Sequence, residues 1–331
     1  AQSLGDGTSI LRLPGGLQWK AQHVLSRYQE GYSFSDECVN SPLRQLTQWR
    51  HTHTFAEDPA GTRVTDEVDT RVPSAALKSV FAYRQHQLIE DFAFFKRLRD
   101  AGLNTQPLTI AMTGSRGSVG TALTAQLRTA GHTVIQLVRG KAGSGQRHWN
   151  TNLPDPHLLD GVDVLVHLAG EPIFGRFNEE HKAAIRDSRV GPTRSLARIA
   201  GETPSVKAMV CASAIGFYGA NRGEEVLTED SEPGEGFLAD VVRQWEDACE
   251  PARAAGTRVV NIRTGIAMSG GSGLLPLLRA LFSTGLGGPF GDGKFWFSWV
   301  AIDDLTDAYF RAIVDDSLSG PVNAASPNPV L

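Results

Sequence analysis

LTIAMTGSRGSVGTALTAQLRTAGHTVIQLVRG, residues 108–140, reads as strand, turn, helix and strand. The apolar run to Met112 suits a short buried strand, the stretch from Ser118 has helical spacing closed by Gly131, and a second apolar strand ends in "LVRG". The turn carries Gly114, Gly117 and Gly120. Gly114 permits the tight turn, Gly117 lets the backbone approach a pyrophosphate, and Gly120 lets helix and strand pack closely. The helix start adds unpaired N–H groups and the positive end of a dipole. Such a turn suits an anion, and the expected dinucleotide site here is Gly114, Ser115, Arg116, Gly117, Ser118, Val119 and Gly120.

The second strand ends at Arg139, where a site for NAD would carry an acidic residue on the ribose 2′-hydroxyl. A guanidinium there pairs with a 2′-phosphate instead, and Arg116 adds a second positive charge, so NADP(H) is the expected cofactor. Further apolar strands, "DVLVHLAG", "VKAMVCAS" and "RVVNIRTG", alternate with helical stretches, which implies a parallel sheet covered on both faces. Leu168, Ala169 and Gly170 end one strand with room for a flat ligand, and His167 just before them reads as a packed histidine. Ser213 ends the next strand at the carboxyl edge, where open α/β sheets bind ligands, and Tyr218 follows it. Only seven residues separate Arg139 from Arg147, too few for a helical crossover, so either the third strand is degenerate or residues are absent.

Upstream, "LQWKAQHV", "YQEGYSFSDEC", "LTQWRHTHTF" and "GTRVTDEVDTRV" alternate as half-buried antiparallel strands. A long helix follows, with Val80, Tyr83, Leu88, Phe92, Phe95 and Leu98 near helical spacing and Gly102 at its end. The expected organisation is an α+β domain over 1–100, a linker over 101–107 and an α/β domain over 108–331. A net charge of -4 and a pI near 6.2 give no footprint for nucleic acid. Neither a membrane span nor a signal peptide is visible, which makes the cytoplasm the expected compartment. Cys38, Cys211 and Cys249 are odd in number and far apart, so they read as reduced, buried thiols, and no metal site is expected.

From residue 108 onward the chain resembles the extended, epimerase-like short-chain dehydrogenases/reductases, in particular the divergent branch called nucleoside-diphosphate sugar epimerase, SulA-type. The resemblance is carried by "TGSRGSVG", "HLAGEPI", "HKAAIRDSRVGPT", "SAIGFYG", "IRTGIAMS" and "GLGGPFGDGKFWFSWVAIDDL". It implies a doubly wound Rossmann sheet, an NADP-type cofactor also touched by Arg263 and Thr264, and a small C-terminal lobe over a small-molecule substrate. Glu171, Arg189 and Trp299 are the expected substrate-side residues, and Ser213 and Tyr218, at the strand's carboxyl edge, are the expected catalytic groups. The stretch "LTQWRHTHTFAEDPAGTRVTDEVDTRVP" with "FAYRQ" is similar to the later half of helix-grip (polyketide cyclase, START-like) domains. That fold's opening strand and two helices have no counterpart, and relatives continue beyond "SPNPV", so the native chain is expected to be longer.

Two departures bear on chemistry. Short-chain dehydrogenases pair a tyrosine with a lysine four residues later, which lowers the phenol's pKa. Leu238 and Val242 occupy those places here, and Arg189 replaces the asparagine of the usual proton relay. Tyr218 with Arg222 is a loop pair without a lysine's geometry. The leading expectation is therefore a reductase or epimerase with an altered proton path. The alternatives are a dinucleotide sensor without catalysis, or an apolar-ligand carrier built from Trp19, Tyr28, Tyr32, Phe34, Trp49 and Phe55. Asp303 and Asp304 read as acidic residues at a helix start.

Overall fold

The computed structural model describes residues 7–12, 17–59, 61–103, 105–289 and 291–331. Asn104 of the expected linker and Phe290 of the expected C-terminal lobe lie outside them. The chain divides into two compact units, 1–90 and 91–331.

Unit 1 is an antiparallel meander whose strands pair in chain order: β1 (Thr8–Arg12), β2 (Gln18–His23), β3 (Ser33–Cys38), β4 (Arg50–Asp58) and β5 (Gly61–Asp69). A short α1 (Leu43–Thr47) interrupts it. The long α2 (Ser74–Asp100) begins in this unit, where Phe81 meets Trp49 at 6.3 Å and His51 at 5.3 Å between ring centroids. The four strands expected from alternation are present, and β1 adds a fifth.

The division falls inside α2, not at residues 101–107. Its last turns bury Phe94, Phe95 and Leu98 in the core of unit 2, with Phe94 and Phe95 at 5.6 and 5.4 Å from Phe310. Val80, Tyr83 and Phe92 of the expected apolar stripe are exposed. The expected apolar stripe is therefore not one continuous buried face.

Unit 2 is a seven-stranded parallel sheet. Its strands are β6 (Thr109–Thr113), β7 (Thr133–Val138), β8 (Gln146–His148), β9 (Val164–His167), β10 (Ala208–Ala214), β11 (Arg258–Thr264) and β15 (Gly320–Ala324), in the spatial order β8-β7-β6-β9-β10-β11-β15. The chain starts in the middle, goes to one edge and returns to build the other half, which is the doubly wound order with its switch point between β6 and β9. Period-two burial fills both faces. Ile110 and Met112 face a core with α3 (Ser118–Thr129) and α9 (Ile302–Val314), while Ala111 faces another with α5 (Val190–Glu202), α6 (Phe237–Asp247) and α7 (Glu250–Ala254). Helix α4 (Glu179–Asp187) is capped by Asn178, whose side chain accepts from the His181 N–H.

The short connection after Arg139 does reach a third parallel strand. It needs no helix because β8 is only three residues long; Trp149, 3% exposed, follows it and packs in the core on the face of α5, α6 and α7. Gln146 pairs with Gln136, and its side-chain amide donates to the Gln136 carbonyl at 3.0 Å. A three-stranded patch of β12 (Ile266–Ser269), β13 (Ser272–Gly273) and β14 (Trp299–Ala301), with α8 (Leu274–Ser283), forms the small C-terminal lobe. No helix among the described residues is long and apolar enough to cross a membrane. The three cysteines are free and buried.

Candidate functional site at the carboxyl edge of the sheet

Strand register lines up the carboxyl ends. Thr113 pairs with His167 and Cys211 with His167, so the turn after β6, the Leu168–Gly170 segment and Ser213 are neighbours at the switch point. Gly114 has φ +67°, and a Cβ there would lie 2.7 Å from the Leu168 carbonyl carbon. A Cβ on Gly120 would collide with the Gly114 carbonyl oxygen and lie 2.7 Å from the Ser115 Cα. These two glycines are demanded by close backbone approach. Gly117 is less crowded: its Cβ would meet only the Gly114 oxygen, in a tight contact at 3.3 Å. It is also the N-cap of α3 with no side-chain cap, leaving the first N–H groups of the helix, at Ser118 and Val119, without a side-chain acceptor. Ser118 shares a short hydroxyl contact with Ser272 of the lobe. Arg116 and Arg139 are both exposed, and neither has a hydrogen bond or ion pair among the described residues.

Below the turn a buried polar chain fixes the strand ends. The N–H groups of Leu168 and Ala169 donate to Thr113 Oγ1 at 3.1 and 3.2 Å. With both acceptor positions used, that hydroxyl donates to His167 Nδ1 at 2.7 Å, which leaves the proton on Nε2, 3.0 Å from Thr193 Oγ1. Trp245 Nε1 donates to the same threonine. Burial, with Arg189 nearby, pushes the His167 pKa down to about 4, so the ring is a neutral strut. Its expected structural role fits this geometry.

Arg189 passes under Gly170. Its guanidinium donates to the carbonyls of Glu171 and Ile185 at 2.9 and 3.0 Å and lies 5.1 Å from the Trp245 ring centre, and a Cβ on Gly170 would sit 3.0 Å from its Cζ. It holds the Gly170–Glu171 backbone, and the Glu171 side chain is left exposed. Trp299 is half-buried on β14, in register with Ile266, and Thr264 is half-buried at the end of β11.

Ser213 and Tyr218 meet through residues that the sequence reading had not joined. Ser213 Oγ donates to Glu246 Oε1 at 2.5 Å. Arg263 clasps Glu246 through Nε and Nη2, both at 2.9 Å, and its Nη1 donates to the Tyr218 hydroxyl at 3.0 Å. Tyr218 in turn donates to Asn323 Oδ1 at 2.6 Å. Arg263, expected on the cofactor, is thus committed inside the fold, stacked 3.5 Å above the Phe217 ring. The cation beside Tyr218 is Arg263. Arg222 instead grips Glu225 at 2.8 and 2.9 Å in its own loop. Leu238 and Val242 pack against Gly216 in the 3-10 turn Ile215–Tyr218, where they can move no proton. Glu246 and Asn323 were missed. The signal available was "WED" on an amphipathic helix facing the strand that carries Ser213.

A Rossmann sheet with an uncapped glycine turn at its switch point defines a dinucleotide-binding α/β protein. The profile of the NAD dependent epimerase/dehydratase family matches residues 110–325, and the chain belongs to that family. Epimerase family protein Mb2239 of Mycobacterium bovis is 42% identical over 67% of this chain and 74% of its own length. A Corynebacterium glutamicum structure described as a nucleoside-diphosphate sugar epimerase is 55% identical, with a TM-score of 0.90 over 100% of this chain and 70% of that one. Human epimerase family protein SDR39U1, solved with NADPH, is 31% identical, with a TM-score of 0.60 over 67% of this chain and 76% of its own.

Proposed function

We propose that the chain is an NADP(H)-dependent reductase or epimerase of a small hydroxyl- or carbonyl-bearing substrate. The observation that carries this reading is the placement of two uncommitted arginines, Arg116 and Arg139, beside an uncapped glycine turn in the same strand-end row as Ser213. The residues fit the cofactor. The side-chain-free Gly117 and the α3 N-terminus suit a pyrophosphate, and a guanidinium at the end of β7 suits a 2′-phosphate. NADPH in the 31% identical human relative supports the phosphorylated form. When bound, the nicotinamide supplies the hydride donor or acceptor.

The chain's own part is the proton. Ser213 donates its hydrogen to Glu246, so its oxygen keeps lone pairs for a substrate hydroxyl. As that hydroxyl releases its proton to Ser213 Oγ, Ser213 passes its own to Glu246 Oε1, and the reverse sequence protonates a carbonyl oxygen as it is reduced. Tyr218, whose hydroxyl both donates to Asn323 and accepts from Arg263, is a positioning residue that holds Arg263 on Glu246. The test is substrate-dependent change in NADPH absorbance across a panel of nucleotide sugars and simple carbonyl compounds. Ser213→Ala is expected to bind NADPH and lose turnover, whereas turnover equal to wild type would remove Ser213 from the proton path.

For unit 1 the helix-grip resemblance stays a proposal, supported by the meander and by Phe81 of α2 on Trp49 and His51. An apolar ligand on that face would lie against two carboxylates and two buried histidines, a polar lining that disfavours the carrier reading.

A further inference from the structure

Four polar side chains of unit 1 meet on one face of its sheet. Register sets Asp36 of β3 opposite His51 of β4, and His53 of β4 opposite Asp66 of β5; His51 and His53 are two apart and so share a face. Both imidazoles are buried, at 5% and 4% exposure, and their ring centres are 4.0 Å apart.

The two carboxylates do different things. Asp66 Oδ1 lies 3.1 Å from His51 Nε2 and 2.7 Å from His53 Nδ1. His51 hydrogen-bonds Asp66 through Nε2, and His53 Nδ1 faces the same oxygen at ion-pair distance. The second ring nitrogens, His51 Nδ1 and His53 Nε2, lie on the other side. Both point toward Asp36 Oδ2, at 3.6 and 3.7 Å. These distances are too long for hydrogen bonds, yet they bring three electron-pair donors within 4.8 Å of one another. Three converging acceptors repel unless a cation lies between them. Ligand bonds of about 2.0–2.2 Å around a tetrahedral ion span edges of about 3.3–3.6 Å, close to the two distances from Asp36.

We propose that Asp36, His51 and His53 bind a divalent transition-metal ion, Zn2+ by donor set and spacing, with Asp66 as the carboxylate that orients both imidazoles. Histidine ligands characteristically give their second nitrogen to such a partner. Arg84, 3.7 Å from Asp66 Oδ2, steadies that carboxylate, and two carboxylates against one guanidinium leave the cluster anionic before an ion enters. Three protein ligands leave a fourth position for water or a substrate atom, the arrangement of a reactive rather than a closed structural site.

The test uses the full chain, stripped with EDTA and titrated with Co2+ and then Zn2+. The expected result is one Co2+ per chain with the intense visible bands of a tetrahedral site, displaced by Zn2+. Those bands should vanish in His53→Gln and Asp36→Ala, while Asp66→Asn retains the site with affinity weakened about 10- to 100-fold. Circular dichroism checks each variant. If His53→Gln does not fold, Asp36→Ala decides, since Asp36 lies at the more open edge of the cluster. Absence of tetrahedral bands in wild type, or their persistence in a folded Asp36→Ala protein, would overturn the assignment.

Discussion

The glycines of the turn differ in what surrounds them, and that difference is measurable. Gly120→Ala would drive a methyl into the Gly114 carbonyl, so it should lower stability by about 1–3 kcal/mol as overpacking does. Gly117→Val meets only one tight backbone contact, so the protein should fold while NADPH affinity falls, because the branched side chain takes the room of the pyrophosphate. Thermal melts and cofactor titration of the two variants separate these effects, and loss of fold in Gly117→Val would contradict the reading of that space. The buried network makes a second contrast. Tyr218→Phe strips Arg263 and Asn323 of a partner and should reduce both turnover and stability, whereas Arg222→Ala, confined to its exposed loop, should leave turnover near wild type. A large loss in Arg222→Ala would return the cation of the site to that loop. None of this pairing was legible in the sequence, where Ser213, Glu246, Arg263 and Asn323 are far apart and only strand order brings them together.

At the scale of elements, α9 and α3 pack through one awkward contact. Asp307 accepts from Gln126 Nε2 at 2.5 Å, and burial, with Asp91 and Asp304 nearby, raises its pKa to about 6. Its proton is held more tightly in the folded chain than in the unfolded one. The associated stability is therefore fully present below about pH 4, falls as pH rises toward 6, and is absent above that. Asp307→Asn keeps an acceptor for Gln126 and removes the buried charge. It should raise the melting temperature at pH 7 and flatten the dependence between pH 4 and 6, which melts across that range would show. A variant less stable than wild type at pH 7 would contradict it. At the start of the same helix the N-cap is Ala301, so Asp303 and Asp304 lie in the first turn rather than at the cap. Asp304→Ala should then cost about 0.3–1 kcal/mol through the helix dipole, the lower part of what a capping residue contributes.

For the whole molecule, the Rossmann half was legible because each of its features is local: apolar strands, a glycine turn and helices at regular intervals. What escaped was set by partners distant in sequence. The unit division falls inside α2 because Phe94, Phe95 and Leu98 belong to the core around Phe310, a fact no periodicity within the helix reveals. Strand β15 closes the sheet with a short, half-buried segment whose strand character comes from pairing with β11. In unit 1, "RHTHT" showed two histidines one strand period apart, but the carboxylates that give them meaning come from the strands on either side. At the carboxyl edge, Arg139 sets the cofactor preference. Calorimetric titration of wild type and Arg139→Asp with NADPH and NADH should show wild type favouring NADPH by about tenfold or more, the scale of one charge-assisted contact. The preference should vanish or reverse in the variant. Equal affinities in wild type, or a preference untouched by Arg139→Asp, would contradict the account.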